Sequence, residues 1–229
     1  MTKKNNSLQV HADELVRIEP ITENQRLAFS AWEENKNIVL SGSAGTGKTF
    51  IGLYLALKAM LDEPEIYRDI TIMRSIVPTR DGGFLPGTIE EKREPFNLPY
   101  KFICNELFGE FGSYNKMLHS KQIKFESTSY IRGCTFDHSI ILVDEMQNLN
   151  FHELDSVITR IGKDCRVIFC GDYMQSDFKY DDEKDGIIKF MKIVEQMRFF
   201  DVVKFGWEDI VRSDLVRDYI MTKEMLGIS

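Results

Sequence analysis

A glycine-rich segment at residues 42–49 limits the folds open to this chain more than any other feature. It reads Gly-Ser-Ala-Gly-Thr-Gly-Lys-Thr and matches the pattern G-x-x-x-x-G-K-T. The short apolar run at 37–40 before it is typical of a buried strand, and residues 50–61 after it follow a helical pattern. A strand, a glycine loop and a helix in this order direct backbone N–H groups at phosphate. The segment therefore predicts a nucleoside triphosphate site, because a chance glycine turn would not explain its flanks.

Each position of this loop is a predicted contact to the nucleotide. The glycines allow the chain to turn closely around phosphate oxygens, where a Cβ atom would interfere. The ammonium group of Lys48 is expected on the β- and γ-phosphates, and the hydroxyl of Thr49 is expected on Mg²⁺. The predicted contacts are Gly42, Ser43, Ala44, Gly45, Thr46, Gly47, Lys48 and Thr49.

Length and composition exclude several other classes of protein. With 229 residues, 43% of them hydrophobic, the chain predicts one domain with a substantial core. No run approaches the roughly 20 apolar residues of a membrane helix, so no membrane association is expected. The net charge of −7 disfavours a basic coat for nucleic acid but allows a local basic channel. Four scattered cysteines favour reduced thiols in the cytoplasm over a zinc site.

Apolar runs alternate with helical patterns along the rest of the chain. Strands are predicted at 69–74, 122–126, 139–145, 165–172 and 202–205, and helices near 22–32, across 88–118, from 150 to about 160, through 191 and at 215–220. Loops are predicted at 77–87 and at the acidic run 180–186. This alternation predicts an α/β fold with a mostly parallel sheet and helices on both faces. A single domain at 21–229 would follow a flexible arm at 1–20.

Two acids follow the most apolar of these strands. Asp144 and Glu145 come directly after the run at 139–143 and should meet the phosphate loop, because ligands bind at the carboxyl ends of parallel strands. Asp144 suits the Mg²⁺ side together with Thr49. Glu145 is expected to polarise the attacking water as general base. Two acids that cap a helix are the alternative interpretation, which the upstream phosphate loop makes the weaker one.

Two glutamines and one of several arginines are further candidates. An amide at Gln175 can bridge the γ-phosphate and its water, unless it is a surface residue of a turn. Gln25 could bond both edges of adenine, since an amide offers a donor and an acceptor. A cation should also neutralise the transition state, and the sequence does not choose among the candidates. These are Arg74, Arg132, Arg160 and Arg212.

Taken in order, these motifs resemble those of the PhoH family of P-loop ATPases, which are relatives of the first ATPase domain of superfamily-one helicases. The resemblance covers about residues 20–220 and is far more specific than the phosphate loop alone. The motifs are Gln25, the loop at 42–49, GGFLPG at 82–87, YIRG at 130–133, ILVDEMQN at 141–148, TRIG at 159–162, GDYMQSD at 171–177 and DIVRSDLV at 209–216.

The resemblance implies a RecA-like P-loop NTPase fold and the hydrolysis of ATP with Mg²⁺. It also implies a homo-oligomer in the form of a hexameric ring, an RNA partner and a cytoplasmic location. The chain looks like a short, phage-type member, for which the location would be the host cytoplasm. The implied site residues are Gln25 and 42–49 for the nucleotide, Asp144 for Mg²⁺, Glu145 as base, Gln175 as γ-phosphate sensor and Arg212 or Arg160 as arginine finger.

Two positions depart from the pattern of this family. Met146 stands where the family usually has Ala, and Cys134 stands where a basic residue is usual. The second departure weakens the expectation that this loop contacts phosphate or RNA. The nuclease-type domain that some relatives carry is not expected from this sequence.

Three functions compete on this basis. The leading hypothesis is an RNA-coupled ATPase ring, in which a neighbouring subunit would close the nucleotide cleft. Cations and aromatic residues alternate at 101–124, as in single-stranded nucleic-acid sites, although an amphipathic helix explains this pattern as well. The second hypothesis is a nucleotide-switched assembly or scaffold protein with slow ATPase activity and a protein partner. The third, a small-molecule kinase, fits less well because no arginine-rich lid is found.

Overall fold

One parallel sheet forms the centre of the molecule. The computed structural model describes residues 10–75, 89–128, 133, 135–172 and 181–228, with the backbone alone at 89–93 and 181–185. Every strand pairing in these ranges is parallel, and the order across the sheet is β3-β2-β4-β5-β1-β6. The strands are β1 (Asn37–Gly42), β2 (Asp69–Arg74), β3 (Ile123–Ser127), β4 (Ser139–Val143), β5 (Arg166–Gly171) and β6 (Phe200–Phe205).

Helices cover both faces of this sheet, as predicted. In the described ranges they are α1 (Glu23–Glu33), α2 (Lys48–Asp62), α3 (Ile89–Phe108), α4 (Ser113–His119), α5 (Phe151–Thr159), α6 (Asp181–Val194) and α7 (Asp214–Met225). Successive strand residues face opposite sides: Ile38 and Leu40 join a core with α1 to α4, whereas Val39 joins a second core with α5 and α6. Both faces of the central strands are therefore buried, which explains their continuous apolar runs.

Helix α2, which follows the phosphate loop, lies unusually close to the sheet. A Cβ atom at Gly52 would lie 2.9 Å from Sγ of Cys170 on β5 and 3.1 Å from Cδ1 of Leu142 on β4. Only glycine permits this approach, because such a contact would force the helix away from the strands. The close packing fixes the start of α2, and with it Lys48 and Thr49, against the ends of β4 and β5.

Two segments differ from the sequence-based predictions. The prediction of a loop at 180–186 is wrong from residue 181 onward, because α6 begins at Asp181. Acidic residues are favoured at the start of a helix, so the composition of this run suits a helix start as well as a loop. The long helical stretch predicted at 88–118 is two helices, separated by the left-handed glycines Gly109 and Gly112. The loop predicted at 77–87 lies outside the described residues.

The described part of the predicted N-terminal arm is held against the domain. Val10 is buried, and its N–H donates to Oε1 of Gln122 at 3.2 Å. The N–H of Val16 donates to the carbonyl oxygen of Leu107 at 2.8 Å. Residues 10–16 therefore pack on the domain, while 1–9 lie outside the described residues. Among the described helices, none has the length and apolar character needed to cross a membrane.

Candidate functional site

The strand order brings the predicted site residues together. Strand β5 lies between β1 and β4, so the phosphate loop after β1, the acid pair after β4 and Asp172 after β5 share one edge of the sheet. This edge is formed by the carboxyl ends of the strands, where ligands bind in open α/β sheets.

The backbone conformation of the phosphate loop depends on its glycines. Gly42 has a φ of 127°, and a Cβ atom there would lie only 2.0 Å from the carbonyl oxygen of Phe205. Gly47 has a φ of 82° and occupies the N-cap position of α2, where it offers no side chain to the first-turn N–H groups. These groups remain available for an anion, and the helix dipole favours one at this end.

Lys48 reaches back over the loop. Its Nζ donates to the carbonyl oxygens of Gly42 and Ser43, each at 2.6 Å, and lies 3.3 Å from Oγ1 of Thr46. Burial lowers the pKa of Lys48 from its ordinary value, and the negative charge of Asp172 is the largest influence in the opposite direction. The ammonium group is thus held over the loop by neutral carbonyl oxygens. Charged phosphate oxygens are stronger acceptors and would replace them.

Thr49 and Asp144 meet below the loop. Oγ1 of Thr49 donates to Oδ1 of Asp144 at 2.8 Å, and the hydroxyl of Tyr100 donates to Oδ2 of the same carboxylate at 2.8 Å. Asp144 is only 3% exposed. Burial raises the pKa of Asp144, as does Glu145, whereas the bonds from Tyr100 and Thr49 and the charge of Arg74 act in the opposite direction. Each oxygen of this buried carboxylate therefore has its own donor.

Glu145 adopts a left-handed backbone conformation at the end of the strand. Its φ is 52°, an uncommon value for a residue with a side chain, and it turns the chain directly after Asp144. Nε2 of Gln147 donates to Oε2 of Glu145, and Oε1 of Gln147 accepts the N–H of Asp172 at 3.1 Å. Gln147 thus connects the expected base to the end of β5.

Gln25 is buried near the start of α1. Its Oε1 accepts the N–H of Ile21 at 2.9 Å, and its own N–H is capped by Oγ1 of Thr22. The side chain is therefore fixed in direction, and its contact with adenine stays a prediction. The predicted γ-phosphate sensor Gln175, as well as Arg132 and Cys134, lies outside the described residues.

The two arginines implied as fingers occupy opposite edges of the sheet. Arg212 is exposed, and its Cγ atom would lie 3.0 Å from a Cβ atom at Gly45. The base of this side chain therefore lies beside the phosphate loop. Arg160 follows α5, and its carbonyl oxygen accepts the N–H of Phe136 near the amino end of β4. Only Arg212 is therefore close to the loop of its own chain, and a role for Arg160 would require a neighbouring copy.

Helix α7 covers the outer side of the phosphate loop. Oγ of Ser43 donates to Oε2 of Glu224 at 3.1 Å, and the indole N–H of Trp207 donates to the same oxygen. Cδ1 of Ile220 would lie 3.3 Å from a Cβ atom at Gly45. The helix has no buried residue, and Leu215 and Tyr219 are 80% and 67% exposed. The nucleotide loop therefore contacts a helix with a large exposed apolar surface.

The segment at 101–124 combines paired lysines with buried and exposed aromatic rings, and its contact with nucleic acid stays a prediction. Lys101 pairs with Glu94 and Lys116 with Glu110, while Lys124 pairs with Asp69. The alternating aromatics divide as follows: Phe108 and Tyr114 belong to the core, whereas Phe102 and Phe111 are exposed. The amphipathic-helix interpretation therefore explains most of this segment.

Sequence reasoning misses three residues of this edge. Tyr100 does not stand out in the sequence, because an aromatic residue at helical spacing is an ordinary core residue. Gln147 enters only as part of a motif, although an amide two residues after an acid pair can bond both neighbouring strand ends. Glu224 gives no signal, since it lies 181 residues from its partner Ser43.

The loop at the end of a central strand, the hydroxyl–carboxylate pair and the parallel sheet define a P-loop NTPase domain with a RecA-like fold. The chain belongs to the PhoH-like protein family, which matches residues 17–223. It is 31% identical over 188 residues to "Protein PhoH" of Escherichia coli (strain K12), covering 82% of this chain and 52% of that protein. It is 31% identical over 189 residues to "Protein PhoH2" of Bacillus subtilis (strain 168), covering 80% of this chain and 42% of that protein.

The chain spans about half the length of the curated relatives it matches. Among solved structures, the large terminase of a thermophilic bacteriophage is similar in fold, with a TM-score of 0.53 and 14% sequence identity. The similarity covers 90% of this chain and 50% of the terminase chain. At this identity the likeness concerns the fold alone.

Proposed function

We propose that this domain hydrolyses ATP with Mg²⁺ and couples hydrolysis to single-stranded RNA as a homo-oligomeric, hexameric ring. The observation that carries the hydrolysis is the bond between Thr49 and Asp144 below the phosphate loop. It joins residues 95 positions apart at the place where a triphosphate on the loop would end. The RNA partner and the ring rest on the family resemblance and on the exposed surfaces described below.

The residues of this edge fit a magnesium ion. Thr49 and Asp144 offer a hydroxyl and a carboxylate oxygen, and oxygen donors are the ligands that Mg²⁺ prefers. Both would hold the ion, directly or through water. When bound, Mg²⁺ neutralises negative charge on the phosphate oxygens.

Lys48 would act on the phosphates of ATP, and Glu145 would act on the attacking water. The ammonium group of Lys48 would leave the carbonyl oxygens of Gly42 and Ser43 and bind the β- and γ-phosphates. Glu145 would orient the attacking water and accept its proton at a carboxylate oxygen. Gln147 holds Glu145 in place by a hydrogen bond, and a second bond, to the N–H of Asp172, connects it to the end of β5.

Two surfaces support the proposed partners. Phe111 is 90% exposed and Phe102 is also exposed, so that both rings are available for stacking on unpaired bases. Three lysines of this segment are paired with acids, so base stacking on the rings, more than charge, would provide the contact. The exposed apolar residues of α7 offer a surface on which a neighbouring copy could pack beside the phosphate loop.

A nucleotide-switched scaffold is the second candidate function. The observation that favours it is the same α7 surface, because a helix bonded to the phosphate loop through Ser43 could report the nucleotide state to a protein partner. Such a protein would hydrolyse ATP slowly and without regard to RNA.

Steady-state phosphate release from ATP, with and without single-stranded RNA, tests the proposal. Turnover that rises with RNA and is lost in Lys48→Ala supports an RNA-coupled ATPase. Slow turnover that RNA leaves unchanged would reject the coupling and favour the scaffold. Light scattering with and without ATP measures the mass of the assembly in the same samples.

A further inference from the structure

We propose that Tyr100 is a positioning residue for Mg²⁺: its hydroxyl holds one oxygen of Asp144 so that the other oxygen faces Thr49. The inference rests on the proposed function, in which Asp144 and Thr49 hold the metal. It adds a residue from α3, an element that contributes nothing else to the nucleotide site among the described residues.

The two hydrogen bonds on Asp144 fix its carboxylate plane. Oδ1 accepts from Thr49 and Oδ2 from Tyr100, each at 2.8 Å. With a single donor the carboxylate could rotate about its terminal torsion, which is broad for aspartate. With one donor on each oxygen it cannot rotate without breaking a bond. Residues that bond a metal ligand in this way orient the ligand and tune the metal affinity.

Tyr100 itself is fixed by the core. The side chain is fully buried, and its ring lies 5.9 Å from the ring of Phe125 on β3. Its hydroxyl has Oδ2 of Asp144 as acceptor at 2.8 Å. A rigid ring with a hydroxyl that donates in a fixed direction is a suitable support for a carboxylate that must keep one orientation.

A second tyrosine in the same core provides a matched comparison. Tyr114 on α4 is also fully buried, and its hydroxyl donates to Oδ1 of Asn97 at 3.0 Å. Buried tyrosines usually have such a partner, so a hydrogen bond alone does not identify a functional residue. What distinguishes Tyr100 is that its partner is the carboxylate on the metal side. Removing either hydroxyl should affect the stability of the core in a similar way, but only the loss of the Tyr100 hydroxyl should weaken Mg²⁺ binding.

The test compares Tyr100→Phe with Tyr114→Phe in two assays that depend on Mg²⁺. The first is the Mg²⁺ concentration that gives half-maximal ATP turnover. The second is the Mg²⁺ concentration that gives half-maximal binding of a fluorescent ADP analogue, which requires no hydrolysis. We expect Tyr100→Phe to raise both concentrations by about tenfold, the lower range for residues that support a metal ligand. Tyr114→Phe should leave both unchanged, and ADP binding without Mg²⁺ should be equal in all three proteins.

The outcomes separate this inference from the proposed function. If the wild-type protein binds ADP with Mg²⁺ but does not hydrolyse ATP, the proposed function fails, and the binding assay still decides on Tyr100. If Tyr100→Phe shows the wild-type Mg²⁺ dependence in that assay, the inference is overturned. Thermal unfolding of both variants completes the test. An equal loss of stability with unchanged Mg²⁺ dependence would reduce Tyr100 to a core residue.

Discussion

The phosphate loop touches two regions of the molecule that are built differently. On the metal side, defined by Thr49, Asp144 and Tyr100, a buried carboxylate is bonded at both oxygens and enclosed by the core. On the α7 side, defined by Ser43, Ile220 and Glu224, the loop meets a helix that has no buried residue. The loop thus lies between a rigid support and a lightly attached one.

The difference indicates which side serves chemistry and which side can respond. Groups that stabilise a transition state are most effective when they are oriented before the reaction, and the metal side has this property. A helix with few buried apolar contacts costs little to displace, and α7 has this property. Changes on the metal side should therefore act on turnover, and changes on the α7 side should act on stability or assembly.

The largest effect is expected for Asp144→Asn. The amide has nearly the same shape but lacks the negative charge, so Mg²⁺ loses its charged ligand. Turnover should fall by about a thousandfold, at the upper range for the loss of one electrostatic group in an active site. The measurement is steady-state phosphate release at saturating ATP.

Asp69→Asn is the control for this change. Asp69 is also buried, and it accepts from Lys124 and Ser139 at the amino end of the same sheet. This variant should lose stability but keep the turnover of the remaining folded protein. Equal losses of turnover in the two variants would contradict the distinct role of the metal side.

The next effect in size is expected for Glu145→Gln. Glutamine keeps the shape of the side chain and cannot accept a proton, so ATP should still bind while single-turnover hydrolysis falls by about a hundredfold. Glu153→Gln, which weakens the cap that Glu153 forms at Asn150, should leave hydrolysis unchanged. Normal hydrolysis in Glu145→Gln would show that the base is another group.

The sequence predicts the two regions unequally well. Asp144 and the phosphate loop follow apolar strands, and parallel strands bring their carboxyl ends to one edge, so sequence periodicity is enough to place them together. The partners of these residues arise from packing. Tyr100 reaches Asp144 from a helix that contains Pro95 and Pro99, and no local pattern encodes that contact.

The errors of the sequence-based prediction have a physical reason as well. The run at 180–186 contains acids and a glycine, which is typical of a loop, but acidic residues are also frequent at the start of a helix, and α6 begins at Asp181. The predicted helix at 215–220 is correct in position and short by about one turn at its carboxyl end. The missing turn contains Glu224, whose partner is the distant Ser43.

A smaller effect is expected on the α7 side for Ser43→Ala. The change removes the hydroxyl that donates to Glu224. It should lower the free energy of unfolding by about 1 kcal/mol and should lower turnover far less than Asp144→Asn does. Urea unfolding of Ser43→Ala, Glu224→Ala and the double variant isolates this bond from the one that Trp207 makes to the same carboxylate. A large loss of turnover in Ser43→Ala would mean that the α7 side, like the metal side, contributes to catalysis.

The smallest effect on stability, and the sharpest test of assembly, is expected for Tyr219→Ser. The side chain is 67% exposed, so the free energy of unfolding should change by no more than about 0.5 kcal/mol. If copies pack on this face of α7, light scattering should nevertheless show a lower mass. Ile220→Ser, one residue further along, faces Gly45 and should lower stability with little change in mass. An unchanged mass in Tyr219→Ser would exclude this face of α7 as the contact between copies. The contacts of α7 would then be those that its inner face makes with the phosphate loop.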